Sequence, residues 1–226
     1  MGFTFNGVTT ESMGIVVNSI QSYVKPQVKT EVIEVEGKDG AEVKEYGYAP
    51  YVLKAKITLL DITKIDDVIA WLNGSGQLII DEDDSHCRNV KIISTINYDF
   101  FVHLKSATVE FYVYDPFRYL VFDLPQTITT FPNSITNNGN VYSKPLLTII
   151  GSGSVSITIN GTTFSYNFPL TESVTIDCEK MDAYYTGLLR NQYMSGYFPI
   201  LKVGSNAISV TGTVTSIKFE KYSRWL

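Results

Sequence analysis

The 226-residue chain is 44% hydrophobic and 18% charged, with a net charge of −5, 16 glycines and 8 prolines. This composition is typical of a folded globular protein and excludes intrinsically disordered, collagen-like and low-complexity chains. The two cysteines, Cys87 and Cys178, are far apart in the sequence, which excludes a dense disulfide framework and a CxxC metal site.

The N-terminal segment lacks a basic region followed by a long apolar run, so we expect no signal peptide. The richest apolar stretch, residues 146–150, is far shorter than the roughly 18 residues that a membrane span requires. The sequence therefore predicts a soluble protein, made in the cytoplasm, that has no membrane segment.

Short runs of β-branched and aromatic residues with a period of two, separated by Gly, Asn or Pro, dominate the chain. Such runs are typical of strands and predict a mainly β fold. The predicted strands cover residues 28–35, 51–60, 77–80, 89–96, 103–113, 146–150, 155–159, 164–168, 174–176 and 213–219.

The first unusual element is a charged hairpin around Lys38-Asp39-Gly40, where Asp-Gly favours a tight turn. Few apolar residues accompany its charges, so the hairpin has too little apolar surface to pack firmly on its own core. It is either a solvated hairpin or an arm that pairs with another subunit. The charged residues concerned are Glu31, Glu34, Glu36, Lys38, Asp39, Glu42, Lys44 and Glu45.

One amphipathic helix is predicted over residues 62–73. Apolar residues recur there at spacings of three and four, which places them on one face: Ile62, Ile65, Ile69 and Leu72. Asp61 is a predicted N-cap, and Asn73-Gly74 provides the left-handed stop.

An acidic segment, Asp81-Glu82-Asp83-Asp84, precedes His86 and Cys87. These side chains offer oxygen, nitrogen and sulfur ligands for a cation. Their spacing matches neither the EF-hand nor a zinc pattern, however, and four acids between two strands are typical of a solvated turn. His103, the second histidine, alternates with Leu104 in a predicted strand, where we interpret it as a packed or surface residue. We expect no metal, no cofactor and no catalytic centre.

Prolines and a polar stretch predict a domain boundary near residues 120–135, giving domains of residues 1–125 and 126–226. Residues 1–122 carry a net charge of −6, whereas residues 123–226 carry +1. An acidic first half argues against adhesive or sequence-specific nucleic-acid binding, because affinity for phosphates depends on Lys and Arg.

In the second half, tyrosines cluster in the sequence at Tyr184, Tyr185, Tyr193 and Tyr197. Such rings stack on sugars or contact partner proteins, or they fill a small core and its rim. Two glycine-containing segments predict local structure instead of phosphate binding: Asn160-Gly161 a hairpin turn, and Gly151-Ser152-Gly153 a β-bulge or turn.

Short motifs follow one another in a fixed order along nearly the whole chain. They are Phe3-Thr4-Phe5-Asn6-Gly7, Gly14-Ile15, Val35-Glu36-Gly37-Lys38-Asp39-Gly40, Trp71-Leu72-Asn73-Gly74-Ser75-Gly76-Gln77-Leu78, Asp115-Pro116-Phe117-Arg118-Tyr119, Asn138-Gly139-Asn140, Ser143-Lys144-Pro145, Gly151-Ser152-Gly153, Gly196-Tyr197-Phe198-Pro199-Ile200-Leu201 and Gly204-Ser205-Asn206. This series resembles the distal tail protein (Dit) family of long-tailed siphophages, the phage tail component proteins. The chain departs from the family pattern at Glu36, where proline is frequent, and in its more acidic 81–88 segment.

The resemblance implies an N-terminal β domain with one helix that closes into a homohexameric ring, and a C-terminal galectin-like β-sandwich. It implies a non-enzymatic structural protein of the virion tail. The ring would join the tail tube protein to the tail-tip or baseplate proteins, including a tail-associated lysin and receptor-binding proteins, and DNA would pass through its lumen. The charged hairpin is then the expected subunit interface, and we expect some of its acidic residues to face the lumen.

Two other functions stay open from the sequence. The C-terminal sandwich is a candidate carbohydrate-binding domain for host cell-wall glycan, with the four tyrosines as contacts, although a galectin-like shape alone does not predict sugar binding. A glycan hydrolase on a β-sandwich is the third candidate, but no carboxylate pair stands out.

Overall fold

The computed structural model describes residues 1–93 and 105–226. These residues form a mainly β protein with one short α-helix, so the predicted fold class is confirmed. His103 and parts of the predicted strands 89–96 and 103–113 lie outside the described residues. The chain divides into two compact units, Met1–Val121 together with Leu226, and Phe122–Trp225.

In the first unit, one antiparallel sheet has the order β2-β1-β7-β8-β9-β6-β3, and β4 and β5 form a separate two-stranded sheet. The sheet closes on one core because alternate residues of its strands, such as Leu53, Ala55 and Ile57, are fully buried. The strands are β1 (Phe3–Phe5), β2 (Val8–Thr9), β3 (Ile15–Ile20), β4 (Val28–Glu34), β5 (Ala41–Tyr48), β6 (Tyr51–Leu59), β7 (Ser75–Ile80), β8 (Asp83–Ile92) and β9 (Ser106–Leu120).

The predicted helix is shorter than the sequence indicates. A 3-10 turn, Ile62–Lys64, precedes α1 (Ile65–Trp71), and Asp61 caps the turn by accepting a hydrogen bond from the Thr63 amide at 3.0 Å. A 3-10 turn has three residues per turn instead of 3.6, and this difference rotates Ile62 away from the core. The Ile62 side chain is 38% exposed as a result. The predicted burial of Ile62 is therefore wrong, and Val68 is the fully buried residue that the pattern missed.

In the second unit, one sheet has the order β10-β17-β12-β13-β14-β15, with β11 also pairing to β17 and β16 to β13. The strands of this sheet are β10 (Gln126–Ile128), β11 (Asn133–Asn137), β12 (Leu146–Ile159), β13 (Thr162–Asp177), β14 (Asp182–Tyr185), β15 (Leu188–Leu189), β16 (Met194–Gly196) and β17 (Gly204–Glu220). A further short strand, β18 (Arg224–Trp225), is not part of this sheet.

Bulges and a tight turn shape this second sheet. The ladder between β12 and β13 shifts register between Gly151 and Gly153, so the predicted bulge is confirmed. Alternate residues of β12 on both sides of the bulge are buried in one core, which means that the sheet curls around it. Asn160 and Gly161 both have positive φ and join β12 to β13, as the predicted hairpin turn requires.

Within the residues that the structure describes, no helix combines the length and hydropathy needed to cross a bilayer.

The helix supports a stability prediction for the first unit. Leu72→Ala should lower the free energy of unfolding by about 2–5 kcal/mol, because Leu72 is only 4% exposed and its removal leaves a cavity in the core. Ile62→Ala is the matched control and should cost less than about 1 kcal/mol. Urea unfolding followed by tryptophan fluorescence measures both. Equal losses would contradict the observed helix register.

Candidate subunit interface

The charged hairpin is an arm with little support from the rest of its unit. We use "the arm" for β4, β5 and the loop between them, residues 28–48. From Lys29 to Gly47 every residue is exposed except Ile33, which is half-buried. Both faces of this two-stranded sheet are therefore open, a condition in which an isolated hairpin is marginally stable at best.

Apolar and charged side chains alternate with one another across the arm. Val32 lies opposite Val43, and these two valines are 58% and 56% exposed. Glu31 lies opposite Lys44, and the Glu31 carboxylate accepts a hydrogen bond from the Tyr46 hydroxyl. Residues 28–48 contain three lysines, five glutamates and one aspartate, a net charge of −3. The arm thus presents complementary apolar and ionic groups to whatever covers it.

The tip of the arm differs from the prediction. The tight turn is at Val35–Lys38, where the Lys38 amide donates to the Val35 carbonyl at 3.0 Å and Gly37 has a φ of +81°. Asp39 and Gly40 follow this turn and complete a six-residue loop between β4 and β5. The turn forms at Gly37 because its positive φ is free of the steric cost that side chains impose there.

The root of the arm, by contrast, is well anchored. We use "the root" for residues 21–27, which lead into β4, and for Tyr48 and Ala49, where the arm ends and the chain leaves β5. The Ala49 amide donates to the Gln27 carbonyl at 2.7 Å, and the Tyr48 ring packs edge-on against Phe117 with centroids 5.7 Å apart. The anchored root thus sets the direction of the arm, whose surface the rest of the first unit leaves uncovered.

A buried ion cluster holds the root to the sheet. Asp83 Oδ2 accepts hydrogen bonds from Arg88 Nη2 at 2.9 Å and from Arg118 Nη1 at 3.0 Å, while Asp83 Oδ1 lies 2.7 Å from His86 Nδ1. The side chains of Asp83 and Arg88 are 4% and 1% exposed. Arg88 Nη2 also donates to the Ser22 carbonyl at 2.5 Å, so the same guanidinium binds both the carboxylate and the root.

A second pair of contacts reaches the root from the same cluster. The Arg118 guanidinium lies over the Tyr23 ring at 5.3 Å, and the Tyr23 hydroxyl donates to the Glu82 carbonyl at 3.2 Å. The Ser22 hydroxyl donates to the Glu82 carboxylate. Residues 22 and 23 are therefore held by a turn and two strands of the main sheet.

The electrostatics of the cluster depend on Asp83. Arg88 and Arg118 are directly opposite each other on β8 and β9, and two like charges in that position repel unless a carboxylate lies between them. Burial alone would raise the pKa of Asp83, but hydrogen bonds from Arg118 and His86 and the charge of Arg88 outweigh burial and lower it. The carboxylate is thus charged at neutral pH.

The interpretation of the four acidic residues 81–84 as a solvated turn is wrong for Asp83. The loop between β7 and β8 contains only Asp81 and Glu82, and β8 then begins at Asp83. The cation-site alternative is also not supported, because the Asp83 oxygens bind guanidinium groups and Cys87 is buried. Among the described residues, no group of three or more His, Cys, Asp and Glu side chains is placed to hold a metal.

The four tyrosines of the second unit do not form one surface. The Arg190 guanidinium lies 5.9 Å from the Tyr185 ring centre and 5.7 Å from that of Tyr193, which joins those two. Tyr184 is half-buried and pairs with Thr175 in the ladder between β14 and β13, whereas Tyr197 is 79% exposed. A glycan contact made by all four tyrosines stays a prediction, because the four rings do not lie on one common surface.

The ion cluster predicts a pH-dependent stability. Asp83→Asn should lower the free energy of unfolding by about 3–5 kcal/mol at pH 7, because it leaves the buried Arg88 guanidinium and the partly buried Arg118 guanidinium without their carboxylate. Since the pKa of Asp83 is lowered in the folded state, its contribution is fully present above the unfolded value of about 3.9 and is lost as pH falls through the folded pKa.

The neighbouring Asp84→Asn is the matched control, since Asp84 is exposed. Chemical unfolding between pH 3 and 8, together with hydrogen exchange at the root, measures both variants. We expect faster exchange at residues 21–27 in Asp83→Asn only. A stability loss equal in the two variants would contradict the role of the buried cluster.

No protein-family model matches the chain, and no curated protein matches it in sequence. Solved structures do match. Chains from the phage p2 baseplate in its activated conformation, solved with Sr and with Ca, align at 7% identity over 91% of this chain and 90% of theirs, with TM-scores of 0.46 and 0.47.

A much closer match is the crystal structure of SPP1 Dit (gp 19.1), described as a paradigm of the hub adsorption apparatus in phages that infect Gram-positive bacteria. The TM-score is 0.76 at 12% identity, and the match covers 100% of this chain and 99% of SPP1 Dit. The resemblance to distal tail proteins that the ordered sequence motifs predict is thus confirmed in the fold: over its whole length, this chain has the fold of SPP1 Dit.

Proposed function

We propose that this chain is a distal tail protein of a long-tailed phage, located in the virion tail. Six copies form a ring that joins the tail tube protein to the tail-tip or baseplate proteins, including a tail-associated lysin and receptor-binding proteins. The observation that carries this proposal is the full-length fold match to SPP1 Dit. The role is structural and needs no catalytic residue.

The arm supports the assembly part of the proposal. A closed ring requires each subunit to use two different surfaces, one of which receives the neighbour. An arm whose valines are more than half exposed gains by burying them, and its free strand edges can add to another sheet. Alternating Glu and Lys residues then select the register, because charges at an interface rim contribute more to specificity than to affinity.

The charge of the arm supports a position near the channel. A wall with a net charge of −3 per subunit repels phosphate groups, so DNA slides past instead of binding. We propose that some of Glu31, Glu34, Glu36, Asp39 and Glu42 face the lumen. Lys38, Lys44 and Glu45 then contribute to pairing with the neighbouring subunit. We also propose that the N-terminal domain, residues 1–125, forms the ring and that the C-terminal domain, residues 126–226, is a galectin-like β-sandwich that decorates it.

Native mass spectrometry with negative-stain imaging tests the ring. We expect a species of six 25.3 kDa chains, about 152 kDa, seen as a ring with an axial hole. Val43→Asp should raise the concentration for half-assembly at least about tenfold, because each contact would then bury an unpaired carboxylate.

Val203→Asp is the matched control, since Val203 is 55% exposed and lies in the second unit. Both variants should keep the melting temperature of the unmodified monomer. Rings formed equally well by Val43→Asp would contradict the arm as the subunit interface, and a strict monomer at every concentration would contradict the ring.

Reversing the charge of the arm tests its position at the lumen. Glu34→Lys, Glu36→Lys and Glu42→Lys together change the net charge of residues 28–48 from −3 to +3. Native mass spectrometry first checks that the variant still forms the ring. In virions that carry this ring, the rate of DNA ejection should fall at low salt, because the lysines attract DNA phosphates. The rate should recover as salt screens that attraction. Ejection at the unmodified rate at low salt would reject an arm that faces DNA.

A further inference from the structure

A polar pocket of about 320 Å³ opens on the outer face of the second unit. Side chains from four adjacent strands, brought together by the strand register, line the bottom of this pocket. Thr211 of β17 lies opposite Ser156 of β12, Ser156 lies opposite Ser165 of β13, and Ser165 lies opposite Ser195 of β16. Four hydroxyl-bearing residues therefore stand in one row across the sheet, which is a consequence of pairing and not of sequence proximity.

A second row and an aromatic ring complete the lining. Ser154 lies opposite Asn167, and the Ser154 hydroxyl donates to Asn167 Oδ1 at 3.1 Å. Tyr193 lines the same pocket and is held in place by two neighbours. Its ring packs edge-on against Tyr166 at 6.3 Å, and the Arg190 guanidinium lies 5.7 Å from its centre.

The chemistry of the lining selects one ligand class. None of the residues that line the pocket is charged, whereas the exposed face of a sheet ordinarily carries charged side chains. Without Lys or Arg in its lining, the pocket lacks the cationic groups that favour binding of phosphate. Val155 and Tyr166 also line the pocket but are almost fully buried, so the pocket lacks the exposed apolar anchors typical of a protein interface.

Hydroxyl and amide groups retain hydrogen-bonding capacity in the pocket. Each hydroxyl has one donor and two acceptor sites, so the bond from Ser165 to Ser156, 3.2 Å long, leaves acceptor sites on both oxygens. The NH2 group of Asn167 adds two donors, because only its oxygen accepts the bond from Ser154. A ligand that meets this row must itself carry several neutral hydroxyl groups.

We infer that the pocket binds a neutral saccharide, with its hydroxyl groups on the row Thr211–Ser156–Ser165–Ser195 and the Tyr193 ring at one end of the site. This inference goes beyond the proposed tail role and does not rest on it. It places the glycan site on the outer sheet face, with Tyr193 as the one member of the predicted tyrosine set that lines it. Pockets of this volume lie at the small end of the range for ligand sites, which suits a short saccharide.

Saturation-transfer NMR on the full chain tests the site with galactose, glucose, rhamnose and N-acetylglucosamine as neutral probes, and glucuronic acid and glucose 6-phosphate as anionic ones. We expect at least one neutral probe to bind with a dissociation constant of about 1–10 mM, and the anionic probes to bind more weakly. The variant Thr211→Val with Ser195→Ala should weaken binding about fivefold or more through lost hydrogen bonds.

The control Thr163→Val with Ser209→Ala makes the same two types of change at exposed positions of β13 and β17 that lie outside the pocket lining. It should leave the affinity unchanged. Absence of binding for every neutral probe at concentrations of roughly 50 mM would overturn the inference. Equal weakening by the two double variants, or equal binding of the anionic probes, would overturn it as well.

Discussion

Asp83 lies between two arginines that face each other on β8 and β9, and one of these, Arg88, also holds the carbonyl of Ser22. The buried Arg88 guanidinium needs a carboxylate, and the cluster of Asp83, Arg88 and Arg118 requires β8 and β9 to be paired. These contacts connect the main sheet to Ser22 and Tyr23 in the root. The arm therefore starts from a fixed point although its own strands have no core.

This combination of an anchored root and an exposed arm suits assembly. An arm that moved freely at its root would lose conformational entropy on binding a neighbour, whereas an anchored arm has lost much of it during folding. The apolar pair Val32 and Val43 is more than half exposed in the single chain, and in the proposed ring it would be buried. Charges around that pair then restrict which partner fits. In this account the fold of the single chain sets the direction of the arm, and formation of the ring buries its apolar side chains.

The sequence predicts the mainly β fold, the Asp61 cap, the Asn160-Gly161 turn and the open charged hairpin, because each follows from local residues. The helical spacing predicts that Ile62 lies on the buried face, but a 3-10 turn does not keep that spacing. Asp83 was missed for a non-local reason: the ladder with β7 skips Asp84, Ser85 and His86, and this bulge brings Asp83 and Arg88 together. The hydroxyl row of the second unit likewise depends on the register of four strands.

The most direct test of the central claim is a cryo-electron microscopy reconstruction of the assembled ring at a resolution that separates strands. The account predicts that residues 31–45 of each subunit lie against the neighbouring subunit, with Val32 and Val43 buried at the contact and acidic side chains at its lumen edge. It also predicts that Asp83, Arg88 and Ser22 keep their contacts in the assembly. A ring in which the arm points into solvent and contacts no neighbour would contradict the account.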